Sequence, residues 1–485
     1  MKTRWIAAAA LLLAACKAAG DDYTTPEIGV PQAWHGEQPS AANPTAAELE
    51  HWWQALKSPE LDALIARAVD NNLDLAIAAA RVREARAELG FAKSARTPTV
   101  DAGAAYSRMH RSEQSTNGAP SFGERDANLY DAGFDAAWEI DVFGGIRRGI
   151  EAANASLEAT VDAQLGTRTS LIAEVARSYV ELRGLERRLS VTRESIAAQQ
   201  ATRDIVRSRT QAGIGNELDL ARAEAQVAAS TSQVPALEGA IAVHVHSLGV
   251  LVGEEPRALA VELAVSAPIP AADAALALGQ PVDLLAHRPD LRRAERECAA
   301  ASARVGVAQA ARWPRISIGA SLGWIANEFG DLFKSSSLAA AIVPSLSVPL
   351  FDGGRRSAQV DAERARFDAA ALEYHQAVLL ALAEVEDSLA ALASETTRHR
   401  SLVESVDALT TAVTLAQQQY TSGLIDFLSV LDAQRALFLA QDELAQSEAA
   451  LSTDFIAVAK ALGGGWSAEP VDDGGEGEQV AAPRG

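Results

Sequence analysis

Residues Tyr420–Arg435 read YTSGLIDFLSVLDAQR. A long helical pattern runs into them, breaks at Gly423 and restarts at Asp426. A glycine just past one helix and a capping acid just before the next mark the tip of a helical hairpin. Arg209–Glu224, RTQAGIGNELDLARAE, has the same form. A shift of 210 positions lays Gly213 on Gly423, Leu218 on Leu428 and Ala223 on Ala433. Two such tips imply an internal duplication. The second tip is expected to close the end of a tunnel.

The duplication extends outward from the tips. Asp74, Gly90, Pro98 and Gly103 fall on Asp290, Gly306, Pro314 and Gly319 at a shift of 216. Phe143, Gly145 and Arg147-Arg148 fall on Phe351, Gly353 and Arg355-Arg356 at a shift of 208. The pattern predicts helix over 50–95, strands near 96–106 and 131–142, a long helix over 146–210 and a return helix. The second half repeats this order: helix over 291–312, strands near 316–324 and 345–350, and a long helix over 355–420. Helices of about 65 residues would be roughly 100 Å long at ~1.5 Å per residue, and survive only when packed along their length. Leu220, Val227, Val234, Ile241 and Leu248 recur every seven residues, as do Val430, Leu437, Leu444, Leu451 and Val458, which implies left-handed supercoiled packing. Pro235 should kink the first return helix, and Ala445 should leave the second straight.

The four alternating segments have one apolar face and one polar face. The polar face carries Asp101, Asp131, Asp135, Glu139 and Asp141, which suits a watery lumen. Tyr106, Trp138 and Trp324 stand where an interfacial girdle would be. Four strands of a soluble sheet are the alternative. After residue 16 no run of 18 consecutive apolar residues occurs, which is read as excluding a spanning helix and leaves membrane passage to strands. Four strands cannot close a barrel, so closure requires several copies. Three copies would give twelve strands, though pattern alone does not choose three over two or four.

The chain has 485 residues and a net charge of −21, a balance that argues against nucleic acid as a partner. MKTRWIAAAALLLAAC at the start combines Lys2 and Arg4 with an apolar run too short to span a bilayer, and reads as a secretory signal. Its end, Leu13-Ala14-Ala15-Cys16, resembles a bacterial lipobox, which makes Cys16 the lipidation site. Lys17 favours the outer membrane. Cys298 is expected to be a small buried helix residue. His244 and His246 are two apart and do not share a helix face, so no metal site is expected. No catalytic motif and no cofactor loop are found; Gly463-Gly464-Gly465 is read as a helix stop.

These residues resemble the outer-membrane factor lipoproteins of resistance-nodulation-division type tripartite efflux systems. The motifs are His51-Trp52-Trp53, Asn71-Asn72-Leu73-Asp74-Leu75, Glu139-Ile140-Asp141-Val142-Phe143-Gly144, Gly213 with Glu217-Leu218-Asp219-Leu220, the linker Gln280–Asp290, Leu350-Phe351-Asp352-Gly353-Gly354, and Lys460–Trp466. The resemblance covers nearly all of the mature chain. It implies an α+β membrane protein: a homotrimer with a twelve-stranded outer-membrane β-barrel, four strands per chain, continued by a long periplasmic α-helical barrel. The implied division is signal peptide 1–15, lipid-anchored tether 16–50, first repeat 51–265 with hairpin 98–142, linker 266–282, second repeat 283–466 with hairpin 315–351, and a disordered acidic tail 467–485.

The implied function is a passive exit duct for drugs or other small molecules. Its partners would be a periplasmic adaptor (membrane fusion) protein, an inner-membrane proton-driven pump and outer-membrane lipid. A duct for polypeptides, or a coiled-coil spacer with no pore, are the alternatives. The resemblance places a periplasmic gate at Asp426, Leu428, Asp432 and Arg435. It places an adaptor-contact tip at Gly213, Leu218, Asp219, Arg222 and Gly423. Simple N-capping by Asp426 is the structural alternative for that residue. Arg435 is expected to pair with Asp432 one turn away. Phe427 departs from the aromatic hydroxyl that is common in the family at that position.

Overall fold

The computed structural model describes residues 18–31, 33–34, 49–110, 126–272 and 284–466. The signal segment with Cys16, most of the 107–128 loop, most of the linker and the tail lie outside them. The helices are α1 (Pro59–Asn71), α2 (Leu73–Ser94), α3 (Gly145–Gln211), α4 (Glu217–Thr231), α5 (Val234–Leu251), α6 (Leu284–His287), α7 (Pro289–Ala310), α8 (Arg355–Thr421) and α9 (Phe427–Ala461). The strands are β1 (Thr99–His110), β2 (Asp126–Ile140), β3 (Arg315–Ala326) and β4 (Leu338–Ser347). The long helices α3 and α8 have 67 residues each. The chain divides into two compact units: Met1–Gly29, Ala78–Ala163 and Asp290–Ala377, against Val30–Ile77, Gln164–Pro289 and Val378–Gly485. Each unit draws on both halves of the sequence.

The first unit holds the sheet, antiparallel throughout in the order β1-β2-β3-β4. Its register puts Phe134 opposite both Ala102 and Leu322, and Asp135 opposite both Asp101 and Ser321. One face is therefore apolar and the other carries facing carboxylates, which only water tolerates. The apolar face is uncovered: Phe134 is 52 % exposed and Ile342 77 % exposed. A soluble sheet would bury it, so lipid is the fitting solvent.

β4 lies further back than the alternation of Leu346, Val348 and Leu350 predicts. Ser347 pairs with Arg315, where β3 begins, so residues beyond 347 have no strand to pair with. Residues 338–343 are apolar on both faces and carry no alternation. Pro344 is tolerated because β4 is an edge strand.

The expected tether is docked where it is described. Arg148, nearly fully buried, donates to the carbonyls of Ala19 at 3.1 Å and Gly20 at 3.2 Å and to Asp22 at 2.8 Å. The Ala19 N–H donates to Phe143 O at 2.9 Å. Thr25 donates to Glu295 at 3.1 Å. Cys298 is buried as expected, and burial pushes its thiol pKa up.

The second unit has the main core. Trp52, Leu56, Leu61, Leu64 and Ile65 pack against Ile172, Val175, Tyr179 and Leu182 of α3, Leu248 of α5 and Phe455, Ile456 and Ala459 of α9. Arg183 is fully buried there and bonds Glu60 at 2.5 Å, Glu186 at 2.7 Å and Val265 O at 3.0 Å. The first return helix breaks between Thr231 and Val234, just before Pro235, whereas α9 runs unbroken for 35 residues. One 18-residue window within Glu217–Leu251 reaches a mean hydropathy of 1.4, apolar enough to cross a membrane by length and composition alone. Counting consecutive apolar residues misses it because Glu238, His244 and His246 interrupt the run. Its Val245 and Leu248 belong to the main core.

Candidate functional site

The two tips lie together in the second unit and share one backbone design. Gly213 N–H bonds Thr210 O at 3.0 Å and Ile214 N–H bonds Arg209 O at 3.0 Å; Gly423 bonds Tyr420 O at 3.0 Å and Leu424 bonds Gln419 O at 2.8 Å. This double closure requires a left-handed residue, and Gly213 and Gly423 have φ of 74° and 76°. The next helices are capped in parallel. Asn216 accepts from Leu218 N–H at 2.9 Å, and Asp426 accepts from Ser429 N–H at 3.1 Å and Ser429 Oγ at 2.6 Å. Asp426 is thus an N-cap. Its pKa is held below the usual carboxylate value by the Ser429 hydroxyl first, then the Ser429 N–H, with a contribution from Arg222.

The tips are joined by a small core of Val206, Ala223, Tyr420, Phe427, Val430 and Leu431. Phe427 is buried here, so the loss of a hydroxyl removes no contact that the packing needs. Around it run three polar ties. The Arg209 guanidinium donates to Tyr420 O at 3.3 Å and Thr421 O at 3.4 Å and lies 4.9 Å over the Tyr420 ring. Gln434 donates to Thr202 Oγ1 at 2.8 Å. Arg435 Nε donates to Gln226 Oε1 at 2.7 Å.

The last contact corrects the expected Asp432–Arg435 pair. Arg435 reaches across to α4 because a neutral amide acceptor faces it there, and Asp432 is left exposed. Leu428, 40 % exposed, lies one turn before Asp432 on the same helix face. In the first tip Leu218 is exposed, and Arg222 pairs with Asp219 at 3.7 Å. Two further apolar residues, Ile214 and Leu424, are about three-quarters exposed at the very ends.

Sequence reasoning misses Arg209, Tyr420, Thr202, Gln434 and Gln226. A basic residue in the last turn of a helix is a recognisable signal. Its target on a different helix 211 residues away is not. Cys16 lies outside the described residues. His244 stands 3.4 Å from Ser178 Oγ and 3.7 Å from Glu181. Among the described residues no cluster of three or more His, Cys, Asp or Glu could hold a metal.

The profile of the outer membrane efflux protein family matches twice, over residues 64–254 and 281–464. The pyoverdine export outer membrane protein OpmQ of Pseudomonas putida is 34% identical over 450 residues, covering 92% of this chain and 94% of its own. The solvent efflux pump outer membrane protein SrpC of Pseudomonas putida is 32% identical over 477 residues, covering 95% and 97%. The solved outer-membrane channel OprN superposes with a TM-score of 0.86 at 34% identity, covering 92% of this chain and 99% of its own.

Proposed function

Because the chain belongs to the outer membrane efflux protein family, we propose that its two joined helical tips close the periplasmic mouth of the exit duct. The protein is the outer-membrane channel component of an efflux pump, a trimer whose four strands per chain make a twelve-stranded barrel, and it works within a tripartite pump. The finer assignments rest on physical fit. About a three-fold axis, three copies of Leu428 would form an apolar constriction, which blocks ions by dewetting. Three copies of Asp432 would repel. Arg435 is engaged with Gln226 and leaves that repulsion uncompensated. The closed tip is then held by Arg209, Gln434 and Arg435 against its own like charges. Such a balance suits a gate that a partner opens.

The observation that carries this reading is a second tip tied to the first while its Leu428–Asp432 stripe stays bare. Gly213, Leu218, Asp219, Arg222 and Gly423, with exposed Ile214 and Leu424, make the adaptor-facing surface of this proposal. The inner-membrane pump is the remaining partner. The relatives named for pyoverdine export and solvent efflux favour small organic cargo. Lipidation at Cys16 fits a chain already docked by Ala19. The paired family match fits two repeats, 51–265 and 283–466. To test the gate, Leu428→Ala combined with Asp432→Ala is measured by single-channel conductance in planar bilayers. The open fraction should rise; closure as complete as in the parent would sink the assignment.

A further inference from the structure

The two ends of the sheet differ. At one end β2 leads into α3, and α7 leads into β3. At the far end β3 returns into β4 through residues 327–337. That connection is wound into two short turns, Phe329–Asp331 and Ser335–Ser337. Its hydrogen bonds close on itself. Asp331 N–H donates to Glu328 O at 3.1 Å, Leu332 N–H to Phe329 O at 3.2 Å and Lys334 N–H to Asp331 O at 3.1 Å. Ser337 Oγ donates to Asp331 O at 2.7 Å, and the Lys334 ammonium pairs with the Asp331 carboxylate. The connection therefore has a shape of its own.

The strand register shows which side it takes. Tyr130 lies opposite both Tyr106 and Ala326, and Trp324 lies opposite Ala132. Side chains alternate along a strand, so Tyr106, Tyr130, Trp324 and Ala326 share the apolar face with Phe134 and Leu322. Phe329 meets the Tyr130 ring edge-on, with centroids 5.6 Å apart, and Phe333 meets Trp324 in the same way, also at 5.6 Å. Tyr130 in turn lies 4.9 Å from Tyr106. Ala326 and Leu332 are buried, whereas Phe134, Leu322 and Ile342 on the same face are exposed. The connection thus leans back over the apolar face and away from the polar one.

Two of its rings remain bare. Phe329 and Phe333 are 68 % and 69 % exposed. Their ring contacts fall on β2 and β3, the two central strands, so a chain that meets the sheet at β1 or β4 does not account for them. What continues past the rings is the apolar face itself, for which lipid is the fitting solvent. Glu328, Asp331, Lys334 and Ser335–Ser337 stand within a few residues of the rings. Large rings directly beside charges and hydroxyls match the boundary between acyl chains and headgroups, which solvates both.

We infer that the 327–337 connection is a membrane brace. Phe329 and Phe333 sit in the outer leaflet at the boundary between acyl chains and headgroups, and Asp331 and Lys334 lie at headgroup level. The brace differs from a girdle of strand residues such as Tyr106 and Trp324, because its rings belong to a connection between strands. Seating them in lipid holds that connection outside the barrel and clear of the duct's outer mouth. The inference rests on the barrel reading and is independent of the gate.

The test is site-directed spin labelling of the full chain in vesicles of phosphatidylethanolamine and phosphatidylglycerol. Labels are placed singly by Phe329→Cys, Phe333→Cys, Ser336→Cys and Phe134→Cys, four exposed sites, and the parent chain gives the background from Cys16 and Cys298. Oxygen, which concentrates in lipid, should relax the labels at 329, 333 and 134 more than a water-soluble nickel chelate does. The label at 336 should show the reverse. Labels at 329 and 333 that follow 336 while 134 reports lipid would overturn the brace and leave the barrel standing. A label at 134 that reports water would overturn the barrel reading and the brace with it. A second arm does not depend on the label. Phe329→Ser combined with Phe333→Ser frees the connection, so the open current in planar bilayers should show brief interruptions that the parent lacks. An open current as steady as the parent's would count against the brace.

Discussion

Arg209→Gln removes one side chain that does three things at the tip. It donates to the last two carbonyls of α8, places a cation at that helix end, and lies over the Tyr420 ring. The two hydrogen bonds are long, at 3.3 and 3.4 Å, so the electrostatic parts dominate. A cation at a helix C-terminus contributes about 0.3–1 kcal/mol and a partly exposed cation–π contact about 0.5–1 kcal/mol. Together they give roughly 1–2 kcal/mol per subunit, which corresponds to about a 5–30-fold change in the closed-to-open ratio of each subunit's tip, a lower bound for a channel whose three tips open together. Planar-bilayer recordings of Arg209→Gln should show a rise in open fraction of that order. Arg209→Lys should fall between, because it keeps the charge and loses the planar stack. A double-mutant cycle with Tyr420→Leu should return a coupling of about 0.5–1 kcal/mol for the ring contact. An Arg209→Gln channel that stays closed while Leu428→Ala with Asp432→Ala opens would refute the latch and leave the constriction standing.

Three other outcomes are expected. Phe427→Ala empties a buried site in the tip core and should cost about 3–5 kcal/mol, read as a lower melting temperature in detergent; Phe427→Tyr should also destabilise, by about 1–3 kcal/mol, since its hydroxyl would enter an apolar cluster. Asp426 has a folded pKa below its unfolded value, so its capping contribution is complete above the ordinary carboxylate range and is lost as pH falls through the folded value. Hydrogen exchange at Ser429 N–H should therefore accelerate only below about pH 4, and Asp426→Asn should abolish that acid step. Arg148→Met removes charge-assisted bonds worth about 1.5–3 kcal/mol from residues 18–25, so exchange at the Ala19 amide should rise roughly ten- to hundred-fold while the sheet is unaffected.

The elements that are legible in the sequence are those whose period or end signal is local. Alternation locates β1 to β3, and glycine with a following cap locates both tips. Pro235 marks the break in the first return helix. What escapes depends on a partner. The end of β4 is set by where β3 runs out at Arg315, and no property of Val348 or Leu350 records that. Sequence spacing assigns Arg435 to Asp432 because they are one turn apart, yet Gln226 lies within reach across the helix pair. In the sequence Arg148 is one of two adjacent arginines that line up with Arg355-Arg356, and only the fold shows the chain carbonyls that it holds.

The twin arginines also show how a true repeat can mislead in detail. Aligned on Phe143 and Phe351, they differ by 208, yet the strands before them and the tip after them differ by 210. A continuous helix cannot absorb two extra residues without rotating its face by about 200°. α3 and α8 are both unbroken and begin 210 apart, at Gly145 and Arg355. Arg147-Arg148 and Arg355-Arg356 are therefore not equivalent: Arg148 holds the chain at residues 19–22, whereas Arg356 bonds Asp352 at the start of its own helix. With the offset corrected, Ala152, Ala155 and Ala159 fall on Ala362, Ala365 and Ala369, so that three alanines buried on α3 have exposed counterparts on α8.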